Sequence, residues 1–218
     1  MIGTWSAALP WVALMILRSQ SCYSGDLFRK NVWATRHPSN DKFPRNDHMD
    51  RQQILTRRVR WLIAFLIIGL VLSGLTAFPL ETELDILARM LGISADASPD
   101  DYSGLRHWIA KVREGIVQTN ADYPFMAYGT DWLAFAHLII AVAFIGPLRD
   151  PVRNIWVIEF GLIACVAVIP TALICGAVRG IPFYWQLIDC SFGIIAFVPL
   201  WLCRCYIKEL ELLASDEQ

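Results

Sequence analysis

Charge is what this sequence has least of. Asp, Glu, Lys and Arg make up 18% of its 218 residues, against about 25% in a soluble domain. Hydrophobic residues make up 56%, and the mean hydropathy is +0.43. A chain this apolar excludes a globular fold in water. The net charge is -1, with no basic stripe interleaved with aromatics, so nucleic acid is excluded as a partner. No HExxH, GxGxxG, GxxxxGK[ST] or GxSxG is present, which removes the motif-borne routes to zinc hydrolysis, dinucleotide binding, phosphate cradling and serine catalysis. There is no CxxC either. Cys165, Cys175, Cys190, Cys203 and Cys205 lie in or at the ends of apolar runs, where cysteine behaves as a small hydrophobe. The CxC at Cys203 and Cys205 falls at an end expected to be reducing, so no disulfide framework follows. Neither a metal site nor a resident cofactor is expected from these residues.

What the sequence does have is long apolar stretches. A bilayer core takes about 20 mainly apolar residues in a helix. Four stretches meet that length or come near it: 61–79, which carries no charge; 132–148, which holds His137; 155–178, with Glu159 and Pro170; and 187–206, with Asp189 and Pro199. Backbone polar groups cannot stay unpaired in lipid, so each must be a helix. The expected fold is an all-α integral membrane protein, with residues 49–218 forming a four-helix membrane domain. Gly69 with Ser73, and Gly176 with Gly180, have the spacing of close helix contacts. Pro170 is expected to kink its span.

The basic residues set the orientation. Arg51, Arg57, Arg58 and Arg60 precede the first span, Arg149 and Arg153 lie between the second and third, and Arg204 and Lys208 end the fourth. With four crossings these three places share one side, which puts both ends in the cytoplasm of a cell membrane, an inner membrane of bacterial type. The segment 80–131 is then external, and carries nine acidic residues against Arg89, Arg106, Lys111 and Arg113. Two amphipathic helices are expected within it, lying on the membrane surface or the bundle mouth. One repeats Leu84, Leu87 and Leu91, starting at a Thr82–Asp85 capping box and stopping at Gly92. The other repeats Leu105, Ile109, Val112 and Ile116 behind Ser103. Aromatics gather at the same level: Tyr123, Phe125, Tyr128 and Trp132 on the return of the loop, and Phe183, Tyr184 and Trp185 ahead of the fourth span. They form an interfacial belt, or a ligand or partner site on the outer face.

Residues 1–48 differ in character. Trp5–Leu17 is apolar but short for a span, and no positive region precedes it as in a signal peptide. The stretch after it is polar, without periodicity, and reads as disordered. Met49 then opens directly onto the basic flank of the first span, and residues 1–48 are expected to be a disordered or misassigned extension.

Ionisable groups inside spans are costly and need partners. His137 and Asp189 fall at similar depth and are expected to pair, with Gln186 or Arg179 as a third member. The pair serves either helix packing or proton uptake, since a histidine beside a carboxylate titrates near neutrality. Glu159, nearer the cytoplasm, is within reach of Arg149, Arg153 or Arg204 for an interfacial ion pair. Haem would need two axial ligands at matched depth; only His137 lies in a span, and His107, on the outer loop helix, is the residue that could fold over it as the second. The reading that follows is a non-enzymatic accessory or scaffold subunit, with the lipid bilayer and other membrane subunits as partners. The rival is a small redox or proton-coupled protein using His137 and Asp189 with a quinone or haem. A small-solute transporter ranks third.

Overall fold

The first long helix shows why these residues fold as they do. Along α1 (Arg45–Ala77), Leu55, Val59, Ile63 and Leu66 recur at helical spacing and are buried. Trp61, Phe65, Ile68, Leu72 and Leu75 recur at the same spacing on another face and are all more than half exposed. A helix in water keeps an apolar stripe on one side only. One that is apolar all round belongs in a core or a membrane.

The computed structural model of the chain describes residues 45–94 and 96–215. Most of the expectation for residues 1–48 lies outside them, and residues 45–48 are the beginning of α1. In chain order α2 (Leu80–Met90), α3 (Gly104–Asp122), α4 (Tyr128–Ala143), α5 (Ile145–Arg149), α6 (Ile155–Val178) and α7 (Phe183–Ser215) follow, with single 3-10 turns at Pro99–Asp101 and Pro124–Ala127. No strand occurs among the described residues. Four helical segments are long and apolar enough to cross a membrane: Met49–Ala77, Pro124–Arg149, Ile155–Val178 and Phe183–Ser215. The second is interrupted at Phe144, between α4 and α5. Pro147 explains the interruption, because it offers no N–H to the carbonyl four residues back. α6 and α7 continue unbroken through Pro170 and Pro199.

The described chain forms two compact units, Arg58–Ile158 and, together, residues 45–57 and 159–215, with boundaries inside α1 and α6. In the first unit, α1 meets α4 at Gly74, where an added Cβ would lie 3.0 Å from the Ala134 carbonyl oxygen and 3.1 Å from the Leu138 side chain. Gly69, the glycine the sequence marks for a close contact, has nothing within 4 Å of that position.

The segment after α1 is tightly built. α2 and α3 bury Leu84, Ala88, Ile109 and Ala110. Arg113 Nε donates to Asp85 Oδ1 at 2.5 Å, and Asn120 Nδ2 to Glu81 Oε2 at 2.9 Å, so the helices run antiparallel. α2 starts behind Pro79, without a side-chain cap. Thr82 therefore sits inside the first turn, and Asp85 is taken by Arg113 rather than by a capping box. Gly92 closes α2 at φ 69°, with Ile93 N donating to Ala88 O and Gly92 N to Arg89 O. This paired closure is the left-handed helix stop that glycine permits at no steric cost. Ser103 precedes α3 but makes no side-chain cap bond. Ser98 instead caps the 3-10 turn Pro99–Asp101, accepting from Asp100 N while its own N–H donates to Asp101 Oδ2 at 2.9 Å.

In the second unit α6 and α7 form a hairpin. Gly180, at φ 68°, ends α6 by the same double bond pattern, Ile181 N to Gly176 O and Gly180 N to Ala177 O. Further along, a Cβ on Gly193 would lie 2.6 Å from the Cys165 carbonyl oxygen and 2.5 Å from Val168 Cγ1. Gly193 is thus where the two backbones come together.

Candidate functional site

The polar side chains within the apolar helices are the natural candidates, and most are occupied locally. Gln186, 6% exposed, lies over the bare face of Gly176 and donates through Nε2 to Ile181 O at 2.7 Å. It thereby closes the α6–α7 turn. The Gly176–Gly180 pair thus serves this turn, one glycine making room for Gln186 and the other supplying the left-handed residue. Arg179 is the exposed residue before Gly180. Cys190 Sγ lies 3.9 Å from Ile169 O, across the same hairpin.

Of the three arginines within reach of Glu159 by sequence, Arg204 takes it: Arg204 Nε donates to Glu159 Oε1 at 3.2 Å. Arg149 and Arg153 are exposed, and neither guanidinium has an acceptor among the described residues. Two further ion pairs lie nearby in sequence. Lys208 meets Glu211 at 2.8 Å, and Arg51 Nε donates to Glu209 Oε1 at 2.7 Å. The Arg51–Glu209 pair puts the first turns of α1 beside the last turns of α7.

His137 belongs to the first unit and Asp189 to the second. The His137 ring bonds within its own helix, Nδ1 to Leu133 O at 2.8 Å. As a donor Nδ1 leaves Nε2 with its lone pair, able to accept a hydrogen bond or bind a ligand. Asp189 is half-buried, and its carboxylate has no hydrogen bond or ion pair among the described residues. No family model, curated protein or solved structure matches this chain.

The aromatics named by the sequence divide between the units. In the first, Tyr123 and Phe125 meet edge to face with centroids 6.1 Å apart. Tyr128 meets Trp132 at 5.9 Å, and Trp132 meets Phe135 at 5.7 Å, again edge to face. Edge-to-face contact is the favoured geometry of aromatic quadrupoles. Phe135 extends this ladder one turn further along α4. Sequence reading passed it over because it stands inside an apolar run, although its spacing from Trp132 is helical. In the second unit Phe183 and Tyr184 are exposed and Trp185 is half-buried. Among the described residues no three His, Cys, Asp or Glu side chains are grouped to hold a metal ion.

Proposed function

We propose that this chain is a non-enzymatic accessory or scaffold subunit of a cell membrane, crossing it four times with both ends in the cytoplasm. The observation that carries the reading is where the polar groups of the long helices go. Gln186 closes a turn, Glu159 is held by Arg204, and Arg51 binds Glu209, all contacts that fix helices rather than face a substrate. The last of these also supports the topology, since ends that touch require an even number of crossings. Lys and Arg at those ends favour the cytoplasmic side.

The helix lengths agree with a bilayer about 30 Å thick. Exposed Trp61 and Phe78 bracket about 26 Å of helix, and Trp185 and Trp201 about 24 Å, at 1.5 Å per residue. α1 and α7, 33 residues each, are about 50 Å long and therefore project into the cytoplasm. In this reading α2 and α3 form an amphipathic hairpin on the outer face. The ladder of Tyr128, Trp132 and Phe135 is the surface through which the subunit meets neighbouring membrane proteins. A photo-crosslinking residue at Phe125 should then trap one discrete protein in native membranes, and trap less of it after Trp132→Ala. Crosslinks to lipid alone would end the reading.

A second reading is favoured by one observation, the half-buried and unpartnered carboxylate of Asp189. That carboxylate, and separately the Nε2 lone pair of His137, support a proton-coupled or redox role with a quinone or haem. A haem Soret band or bound quinone in the purified protein, lost in His137→Gln, would favour this alternative.

A further inference from the structure

The connection from α5 to α6, Arg149-Asp150-Pro151-Val152-Arg153-Asn154, is short and unusually well pinned. Asp150 N donates to Gly146 O at 3.0 Å, and Asp150 Oδ1 accepts from Arg153 N at 3.1 Å. Asn154 Nδ2 donates both to Asp150 O at 2.9 Å and to Gly146 O at 3.2 Å. Pro151 is buried beneath the turn. Four such bonds fix the backbone from which the two arginines project, so binding does not have to order the turn as well.

What the turn holds outward is two guanidinium groups. Arg149 and Arg153 are exposed, and among the described residues neither guanidinium has a carboxylate or carbonyl partner. The Asp150 carboxylate between them is engaged by the Arg153 amide. Beyond them Trp156, 61% exposed, offers an indole of the kind that sits at headgroup level. The same unit repeats this arrangement on α1, where exposed Arg60 precedes exposed Trp61. Counted from the Gly74–Ala134 contact, Arg60 is about 21 Å along α1 and Arg149 about 22 Å along α4 and α5, at 1.5 Å per residue. In the four-crossing reading the two spans run antiparallel, which puts these arginines at one depth.

We propose that Arg149 and Arg153, presented by the pinned turn and joined by Arg60, bind the phosphate of an anionic phospholipid headgroup. This rests on the reading that the long helices cross a bilayer. Guanidinium is suited to the task, because its planar donors match two phosphate oxygens at once. Charge complementarity favours an anionic lipid, and the neighbouring tryptophans favour a lipid over a free anion, since only a lipid carries acyl chains for them to pack on.

The test is native mass spectrometry of the full chain in detergent, titrated with phosphatidylglycerol or with phosphatidylcholine of the same acyl chains. Detergent has no sidedness, so the result does not depend on which way the chain inserts. Phosphatidylglycerol should bind at least about ten-fold better than phosphatidylcholine. At roughly 1 kcal/mol per arginine, or about five-fold each, Arg149→Gln with Arg153→Gln should weaken phosphatidylglycerol about 25-fold. Phosphatidylcholine binding should stay unchanged. Asn154→Ala keeps every charge but loosens the turn, and should weaken phosphatidylglycerol several-fold. It carries the test if the double variant does not fold. Equal binding of the two lipids, or no loss in either Arg149→Gln with Arg153→Gln or Asn154→Ala, would overturn the proposal. Complete displacement by millimolar inorganic phosphate would do the same, making this a free-anion site.

Discussion

Substituting Gly193 asks whether α6 and α7 pack as described. A methyl group there would fall 2.6 Å from the Cys165 carbonyl oxygen, where ordinary contact begins at 3.4 Å, so the helices must separate by about 0.8 Å. Val168, 2.5 Å away, has a side chain that can rotate, but the carbonyl is part of the α6 backbone and cannot. Overpacking of this kind costs about 1–3 kcal/mol. Against it stands a gain of up to about 1 kcal/mol for alanine over glycine in a helix interior. Gly69 supplies the control, because a Cβ there meets nothing within 4 Å, and Gly69→Ala should realise the gain alone. The two variants should therefore differ by about 1–3 kcal/mol in opposite directions around the parent. Unfolding in detergent, followed by circular dichroism against added dodecyl sulfate, measures this. Gly193→Ala as stable as Gly69→Ala would refute the close approach.

Three other contacts yield expectations of their own. Gln186→Leu should cost about 1 kcal/mol by leaving the Ile181 carbonyl without its donor, and Gly176→Ala should displace the same side chain. Gly176→Ala combined with Gln186→Ala should then be less damaging than the sum of the two, a coupling readable in a double-mutant cycle. Glu159 is 41% exposed and Arg204 13% exposed at the side chain. Glu159→Gln should therefore cost no more than about 1 kcal/mol, and Arg204→Ala more, because its buried stem is lost as well. Asp85→Ala should speed amide exchange throughout α2 and α3 while leaving α6 and α7 unchanged, as judged by mass-resolved hydrogen exchange.

The long helices were legible because length and apolarity suffice to mark them. The third stretch read as 155–178 is α6 itself. The ends of the others were not, since α1 and α7 continue past the apolar region on polar residues that favour helix without favouring lipid. Arg51 and Glu209 lie on these extensions, and no local pattern marks their contact. Glycine spacing named Gly69 where the close approach falls at Gly74, because spacing shows what a helix permits while the facing helix decides what is used. Of the second glycine pair, Gly176 does make a close contact, with Gln186 of α7, while Gly180 serves instead as the left-handed stop before Ile181 and Pro182. Arg204 was one of three candidates for Glu159. Choosing among them required the packing of α6 against α7, which brings Arg204 to Glu159. The caps at Thr82 and Ser103 fit their motifs, yet neither α2 nor α3 has a side-chain cap bond, and Ser98 caps only the 3-10 turn between them.

Four crossings with both ends in the cytoplasm is the claim on which the rest depends. It is tested by single cysteines placed at Asp122 and at Ser215 in a chain whose native cysteines are replaced, then treated with a membrane-impermeant maleimide. Both positions are exposed, and loss of a carboxylate at the C-terminal end of α3 does not weaken that helix. In intact cells Asp122→Cys should label and Ser215→Cys should not, until the membrane is permeabilised. Labelling of Ser215→Cys but not of Asp122→Cys would reverse the orientation, and equal labelling of both in intact cells would contradict the four crossings.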